Sequence, residues 1–168
     1  AGRVTEEFLR FRADAVFVDG GGVGGGVVDR LRQLKVPVWE VQFGGKAGKS
    51  DRAFAPESEA AVLYANKRAE MWGMMREWLR GGAIPDDQQL KKELIGPEYG
   101  FNVRNEIQLE RKEDMKRRGL DSPDIADALA LTFAYPVAPH ALAGHDGPHE
   151  PMLKHDYDPF VAEHADAA

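Results

Sequence analysis

The sequence predicts an α/β fold with an added β-hairpin, on three observations. First, Ala15-Val16-Phe17-Val18-Asp19 is a short apolar run ending in an acid, which reads as a buried strand. Second, Val27, Val28, Leu31 and Leu34 recur at helical spacing before another strand-like run, Pro37-Val38-Trp39-Glu40-Val41-Gln42-Phe43. Strand, helix and strand so closely spaced make a βαβ unit, which implies parallel pairing and a right-handed crossover. Third, Tyr99-Gly100-Phe101-Asn102-Val103 and Ile107-Gln108-Leu109 flank Arg104-Asn105-Glu106 as the two arms of a hairpin.

The remaining elements follow in order. Residues up to Arg12 form a short helix with Val4, Phe8 and Phe11 on one side and Thr5 as an N-cap ahead of Glu6 and Glu7. The run Gly20 to Gly26 holds six glycines and satisfies G-x-G-x-x-G after a strand and before a helix. So glycine-rich a run matches many patterns, and the strand ending at Phe43 lacks the acid a ribose contact needs. Close backbone approach at the sheet edge is the better reading. Gly44-Gly45-Lys46-Ala47-Gly48-Lys49-Ser50 ends like a phosphate-binding loop but has Phe43 where that motif has glycine, so it reads as a basic loop.

A polar loop to Ser58 leads into the longest helical pattern, Glu59 to Arg80, with a stripe of Leu63, Met71, Met74, Met75, Trp78 and Leu79. Gly81-Gly82 stops it. Trp72 and Trp78, with the methionines, belong to the core. Asp86 or Asp87 caps a short helix through Leu94, and a basic helix from Arg111 to Arg118 ends at Gly119. Ser122-Pro123-Asp124 opens the last helix, with Ser122 as N-cap, Pro123 at the first position and an apolar run from Ile125 to Phe133. After Tyr135 periodicity vanishes. The expected organisation is a domain over residues 1–135 and an acidic, His- and Pro-rich flexible tail over 136–168.

Composition narrows the function classes. The 168 residues are 43% hydrophobic and 30% charged, as in ordinary globular proteins. No run approaches the ~18 apolar residues of a membrane span, and the first residues show no signal-peptide pattern. With no cysteine, disulfide scaffolds and Cys-ligated zinc are excluded, and a reducing compartment is compatible. The net charge of −6 is mostly the tail's: from Pro136 onward six acids face one base, leaving −1 for the rest. Whole-chain charge therefore says nothing against a nucleic-acid partner. The five histidines also lie in the tail, among glycines and prolines, and fit disorder better than a metal site.

Acids at element ends are the informative feature. Asp19 closes a strand, where side chains project into the crevice beyond the carboxyl ends of a parallel sheet. Asp124 falls in the first turn of the last helix, where the dipole favours an anion. Asp127 follows one turn on, surrounded by Ile125, Ala126, Ala128, Leu129 and Leu131. A carboxylate there is costly unless it meets a cation or hydrogen-bond donors. Turn and cap duties remain open for Asp19 and Asp124. Among the bases, Lys67 and Arg68 on the long helix, and Arg111, Lys112, Lys116, Arg117 and Arg118 after the hairpin, are candidates for phosphate contacts. Glu110, Glu113 and Asp114 interleave with the second group, so a solvated helix face is the alternative.

Five segments in series carry a resemblance. They are Val16 to Gly24 (VFVDGGGVG), Asn66 to Trp72 (NKRAEMW), Gly96 to Phe101 (GPEYGF), Lys112 to Lys116 (KEDMK) and Ser122 to Leu131 (SPDIADALAL). In this order they resemble the C-terminal nuclease domain of the phage terminase large subunit, over Ala13 to Ala134. The resemblance implies a ribonuclease-H-like mixed sheet flanked by helices, holding two Mg²⁺ or Mn²⁺ ions. It implies cleavage of concatemeric double-stranded viral DNA during genome packaging in the host cytoplasm, with the portal and the terminase small subunit as partners. Asp19 matches the acid ending the central strand and Asp124 the acid opening the final helix, both catalytic metal ligands, with Asp127 as a further ligand. Hard divalent ions take oxygen donors, which agrees with carboxylates. Lys67, Arg68, Arg111, Lys112 and Lys116 are the corresponding DNA-binding candidates.

The family's first metal acid lies on an opening strand upstream of the first helix, and no segment here matches it. Asp14 stands at the wrong end of its strand to replace it. The resemblance thus implies the rear portion of a nuclease domain, lacking its opening strands and the ATPase motor, with a sheet edge exposed. Two other readings stand beside it. One is a non-catalytic assembly module that binds portal or DNA; the other is a different ribonuclease-H-like nuclease, such as a junction resolvase.

Overall fold

A computed structural model describes residues 1–48 and 62–138. The sequence's acidic tail from residue 139 onward, and Lys49 to Ala61, lie outside the described residues. The βαβ unit forms as its apolar spacing demands. Strand β1 (Val16–Asp19), helix α2 (Gly24–Gln33) and strand β2 (Val38–Val41) come in sequence after helix α1 (Gly2–Phe11). The two strands pair in parallel, Val16 with Val38 through Asp19 with Val41. Val28 and Leu31 of α2 are buried, as is Val36 in the return to β2.

Two expectations at this end of the chain change. Thr5 is not an N-cap: it lies inside α1, and its hydroxyl donates to the carbonyl of Ala1 at 3.2 Å. Strand β1 is half-buried rather than buried, with Asp19 exposed, because among the described residues only β2 pairs with it. No described strand pairs with its other edge, and α1 buries none of its residues, so Phe11 stays 69% exposed.

The glycine run is needed where α2 begins. A Cβ on Gly24 would stand 1.8 Å from the carbonyl oxygen of Asp19, so only glycine lets the helix start this close to the strand end.

Helix α3 (Lys67–Trp78) is shorter at its front than the stripe predicts. Asn66, in extended conformation, starts it by accepting from the Ala69 amide at 2.9 Å. Leu63 to Ala65 are drawn into strand pairing instead, with Ile107 donating to Leu63 and Ala65 donating to Ile107. Residues 59–61 lie outside the described residues. Helix α4 (Gln88–Ile95) is capped by Asp87, as one of the two predicted candidates. The hairpin of β3 (Tyr99–Phe101) and β4 (Ile107–Leu109) pairs Tyr99 with Leu109 and Phe101 with Ile107. Asn105, at φ 56°, turns it. Short helix α5 (Lys112–Arg117) ends before Gly119 at φ 78°, and α6 (Asp124–Leu131) is the last helix.

The α/β class is as expected, but the described strands form two pairs rather than one continuous sheet. Strand β4 is engaged on both sides, by β3 and by the segment at Tyr64. The core gathers Val41, Met71, Trp72, Met75, Leu90, Ala126, Ala130, Leu131 and Ala134, where α3, α4 and α6 meet the parallel pair. Met74 and Trp78, read as core, are partly exposed because they face away from that junction; Trp78 rests instead on Gly82 and Phe133. Beyond α6, Tyr135 returns to the parallel pair, its ring 6.2 Å from Phe17 and 6.0 Å from Trp39. No helix among the described residues is long and apolar enough to cross a membrane.

Candidate metal centre

Helix α6 presents two acids one turn apart at its N-terminal end, Asp124 exposed and Asp127 4% exposed. The buried one is satisfied by donors from α3. Its Oδ1 accepts from Arg68 Nε at 3.0 Å and from the Trp72 indole at 2.8 Å. Arg68 in turn donates through Nη1 to the Glu110 carbonyl at 3.1 Å. Arg68 and the Trp72 indole thus answer the apolar setting of Asp127, and burial on both sides makes the Arg68–Asp127 pair mutually dependent.

Lys112 completes the arrangement from the start of α5. Its Nζ stands 2.8 Å from Asp127 Oδ2 and 3.4 Å from Asp124 Oδ1, so one ammonium serves both carboxylates. Ser122 Oγ donates to the same Asp124 oxygen at 2.6 Å. The Ser122 hydrogen bond, then the charges of Lys112 and Lys116, hold the Asp124 carboxyl below the usual carboxylate range. Burial disfavours the Lys112 ammonium, but the hydrogen bond and charge of Asp127, aided by Asp124, outweigh it. The Lys112 pKa lies above an ordinary lysine's.

Asp19 ends β1, which α6 packs against. Its Oδ1 accepts from the Gly21 amide at 3.0 Å, and the carboxylate faces the glycine turn. The structure thus brings Asp124 and Asp127 together around one cation and leaves Asp19 apart from them. Among the described residues no group of three or more acids or histidines is close enough to hold a metal ion. The α6 pair alone still suits a hard divalent ion in its donor chemistry. Asp124 is open to solvent, and Asp127 Oδ2, itself buried, faces the Lys112 ammonium.

The basic candidates divide. Lys67 and Arg68 are not surface cations. Lys67 is buried against Glu70 at 3.0 Å and stands 4.8 Å over the Tyr135 ring, and Arg68 is committed to Asp127. Their charges are spent inside the fold, where phosphates do not reach. Lys112 is half-buried on the two acids. Arg111 and Lys116 are exposed and make no ion pair among the described residues. Arg118 clamps the hairpin base, reaching Glu110 at 2.8 Å, Glu98 at 3.1 Å and the Gly96 carbonyl at 2.9 Å.

Sequence reading missed two residues here. Glu70 accepts from the Gly48 amide at 2.7 Å as well as from Lys67, tying the loop after β2 to α3. Glu93 accepts from the amides of Ile125 and Ala126, while Ser122 does not cap α6. Both glutamates sit in helices rich in charged residues, where nothing in the spacing marks an acid as buried.

No family model and no curated protein matches the chain. Solved structures do. The nuclease domain of the large terminase subunit gp2 of bacterial virus Sf6 is 22% identical, with a TM-score of 0.61, covering 80% of this chain and 70% of that one. A lysine-to-alanine variant of that domain with manganese is 21% identical, with a TM-score of 0.60 and coverage of 79% and 70%. The same variant with calcium gives 0.61 at 21% identity and the same coverage. The chain accordingly has the ribonuclease-H-like fold of that terminase nuclease domain.

Proposed function

We propose that this chain is a metal-dependent endonuclease domain that cuts concatemeric double-stranded viral DNA during genome packaging. The observation that carries the reading is the pair Asp124 and Asp127 sharing the Lys112 ammonium, on a helix packed against the strand that Asp19 ends. It occurs in a fold shared with a nuclease domain solved with manganese and with calcium. Asp19 and Asp124 would hold Mg²⁺ or Mn²⁺ as the catalytic ligands of a two-ion site, with Asp127 as a further ligand. Such ions, when bound, activate the attacking water and stabilise the leaving oxygen of a phosphodiester.

The residues themselves do the rest. The low pKa of Asp124 keeps it ionised at neutral pH. Arg68 and Trp72 fix the Asp127 carboxylate, and Lys112 holds Asp124 and Asp127 facing one point. Exposed Arg111 and Lys116 flank this end of the molecule and supply phosphate contacts. Double-stranded DNA is the substrate, with the portal and the terminase small subunit as partners in the host cytoplasm.

Plasmid cleavage with Mn²⁺ tests the reading, on the 168-residue chain and on the full product of its gene. Asp19→Ala and Asp124→Ala each remove cleavage, by at least about 10²-fold as for other essential catalytic groups, while circular dichroism stays unchanged. Undiminished cleavage in both variants rejects it.

A further inference from the structure

Helix α6 carries two acids in its first turn but no cap of its own. Pro123 occupies the N-cap position without a side-chain acceptor, and the Ser122 hydroxyl is turned onto Asp124. The orphan amides of the first turn find an acceptor elsewhere. Glu93, on α4, places Oε2 2.7 Å from the Ile125 amide and 3.0 Å from the Ala126 amide. Gln89, one turn earlier on α4, donates to Glu93 Oε1 at 2.8 Å and fixes the carboxylate. Glu93 is 8% exposed, and no lysine or arginine pairs with it among the described residues. A buried carboxylate with no cation partner needs other donors, and the amides at the positive end of α6 are the ones that meet it.

We propose that Glu93 is a positioning residue of the candidate metal centre, capping α6 from a neighbouring helix so that Asp124 and Asp127 stay free to face a cation. The inference rests on the nuclease reading given above. The physical reason lies in the competition for acceptors at a helix start. Four amides there need partners, and short acidic side chains in or before the first turn are the usual ones. A side chain that bends back to its own helix has fewer lone pairs left for a metal ion and is aimed away from it. Glu93 supplies the acceptor from outside, and its contact also fixes where α6 begins relative to α4. Ser122 is thereby released to hold Asp124 by its side chain instead.

The test compares the full chain with Glu93→Ala, Glu93→Gln and Asp124→Asn. Two quantities are read: amide hydrogen exchange at Ile125 and Ala126, and the Mn²⁺ dissociation constant by calorimetry. In Glu93→Ala both amides exchange about tenfold or more faster, and Mn²⁺ binds about tenfold more weakly. Glu93→Gln keeps an acceptor oxygen and falls between, and it carries the comparison if the alanine variant does not fold. Faster exchange with Mn²⁺ affinity within about twofold of wild type in both variants overturns the proposal, because the cap would then be merely structural. The Asp124→Asn control separates the two ideas: Mn²⁺ binding unaffected by that change overturns the nuclease reading and this inference with it.

Discussion

At the level of single residues, Asp127 shows how far sequence reading reaches. Its apolar neighbours called for a cation or hydrogen-bond donors nearby, and Arg68, Lys112 and the Trp72 indole are there. Which cation was not legible, because Arg68 and Trp72 lie 59 and 55 residues earlier in the chain. Only folding α3 across α6 brings them within 3.0 Å. For the same reason Lys67 and Arg68 looked like surface bases: their helix shows charge but not which face is covered. Removing one member of a buried pair leaves the other uncompensated. Arg68→Ala therefore lowers the unfolding free energy by about 3–5 kcal/mol, read from urea denaturation.

Glu110 makes a second residue-level case. The hydrogen bond from Arg118 is the first cause holding its carboxyl below the ordinary value of 4.5; burial opposes, and the Glu98 amide adds to the lowering. A depressed carboxyl stabilises the fold above its unfolded pKa and loses that contribution as pH falls through the folded value. The loss falls below pH 4.5, and Arg118→Met moves the Glu110 titration back up toward it, as followed by carboxyl NMR.

Among the elements, starts and stops were unevenly readable. Asp87 and Gly119 act where local chemistry said they would, because a cap or a left-handed stop depends on the nearest few residues. The start of α3 was obscured. Apolar and alanine-rich residues before Asn66 continue a helical pattern, but strand pairing at Tyr64 takes that segment first. The cap at Asn66 is then worth a measurable amount: Asn66→Ala costs about 1 kcal/mol in thermal or urea unfolding. The start of α6 misled in the opposite direction. Ser-Pro-Asp has the composition of a helix start, yet the acceptor comes from Glu93 on another helix. A cap supplied across space leaves no mark in local spacing.

For the molecule as a whole, the βαβ unit, the hairpin and the order of helices were legible, since each depends on periodicity or on turn residues. The division of the strands into two pairs was not, because pairing between distant segments is set by packing. Nor was the separation of Asp19 from the α6 acids, which depends on how α6 lies against β1. Among the described residues only β2 pairs with β1.

One feature reaches past catalysis. Since Lys112 and Arg68 together already offset the two carboxylates of α6, the charge balance of this end of the fold does not depend on a divalent ion. Mn²⁺ bound there adds stability by mass action, so EDTA brings the melting temperature of a loaded sample back down only to that of the ion-free domain. Preparations purified in chelator are then properly folded stock, ready to be loaded when wanted.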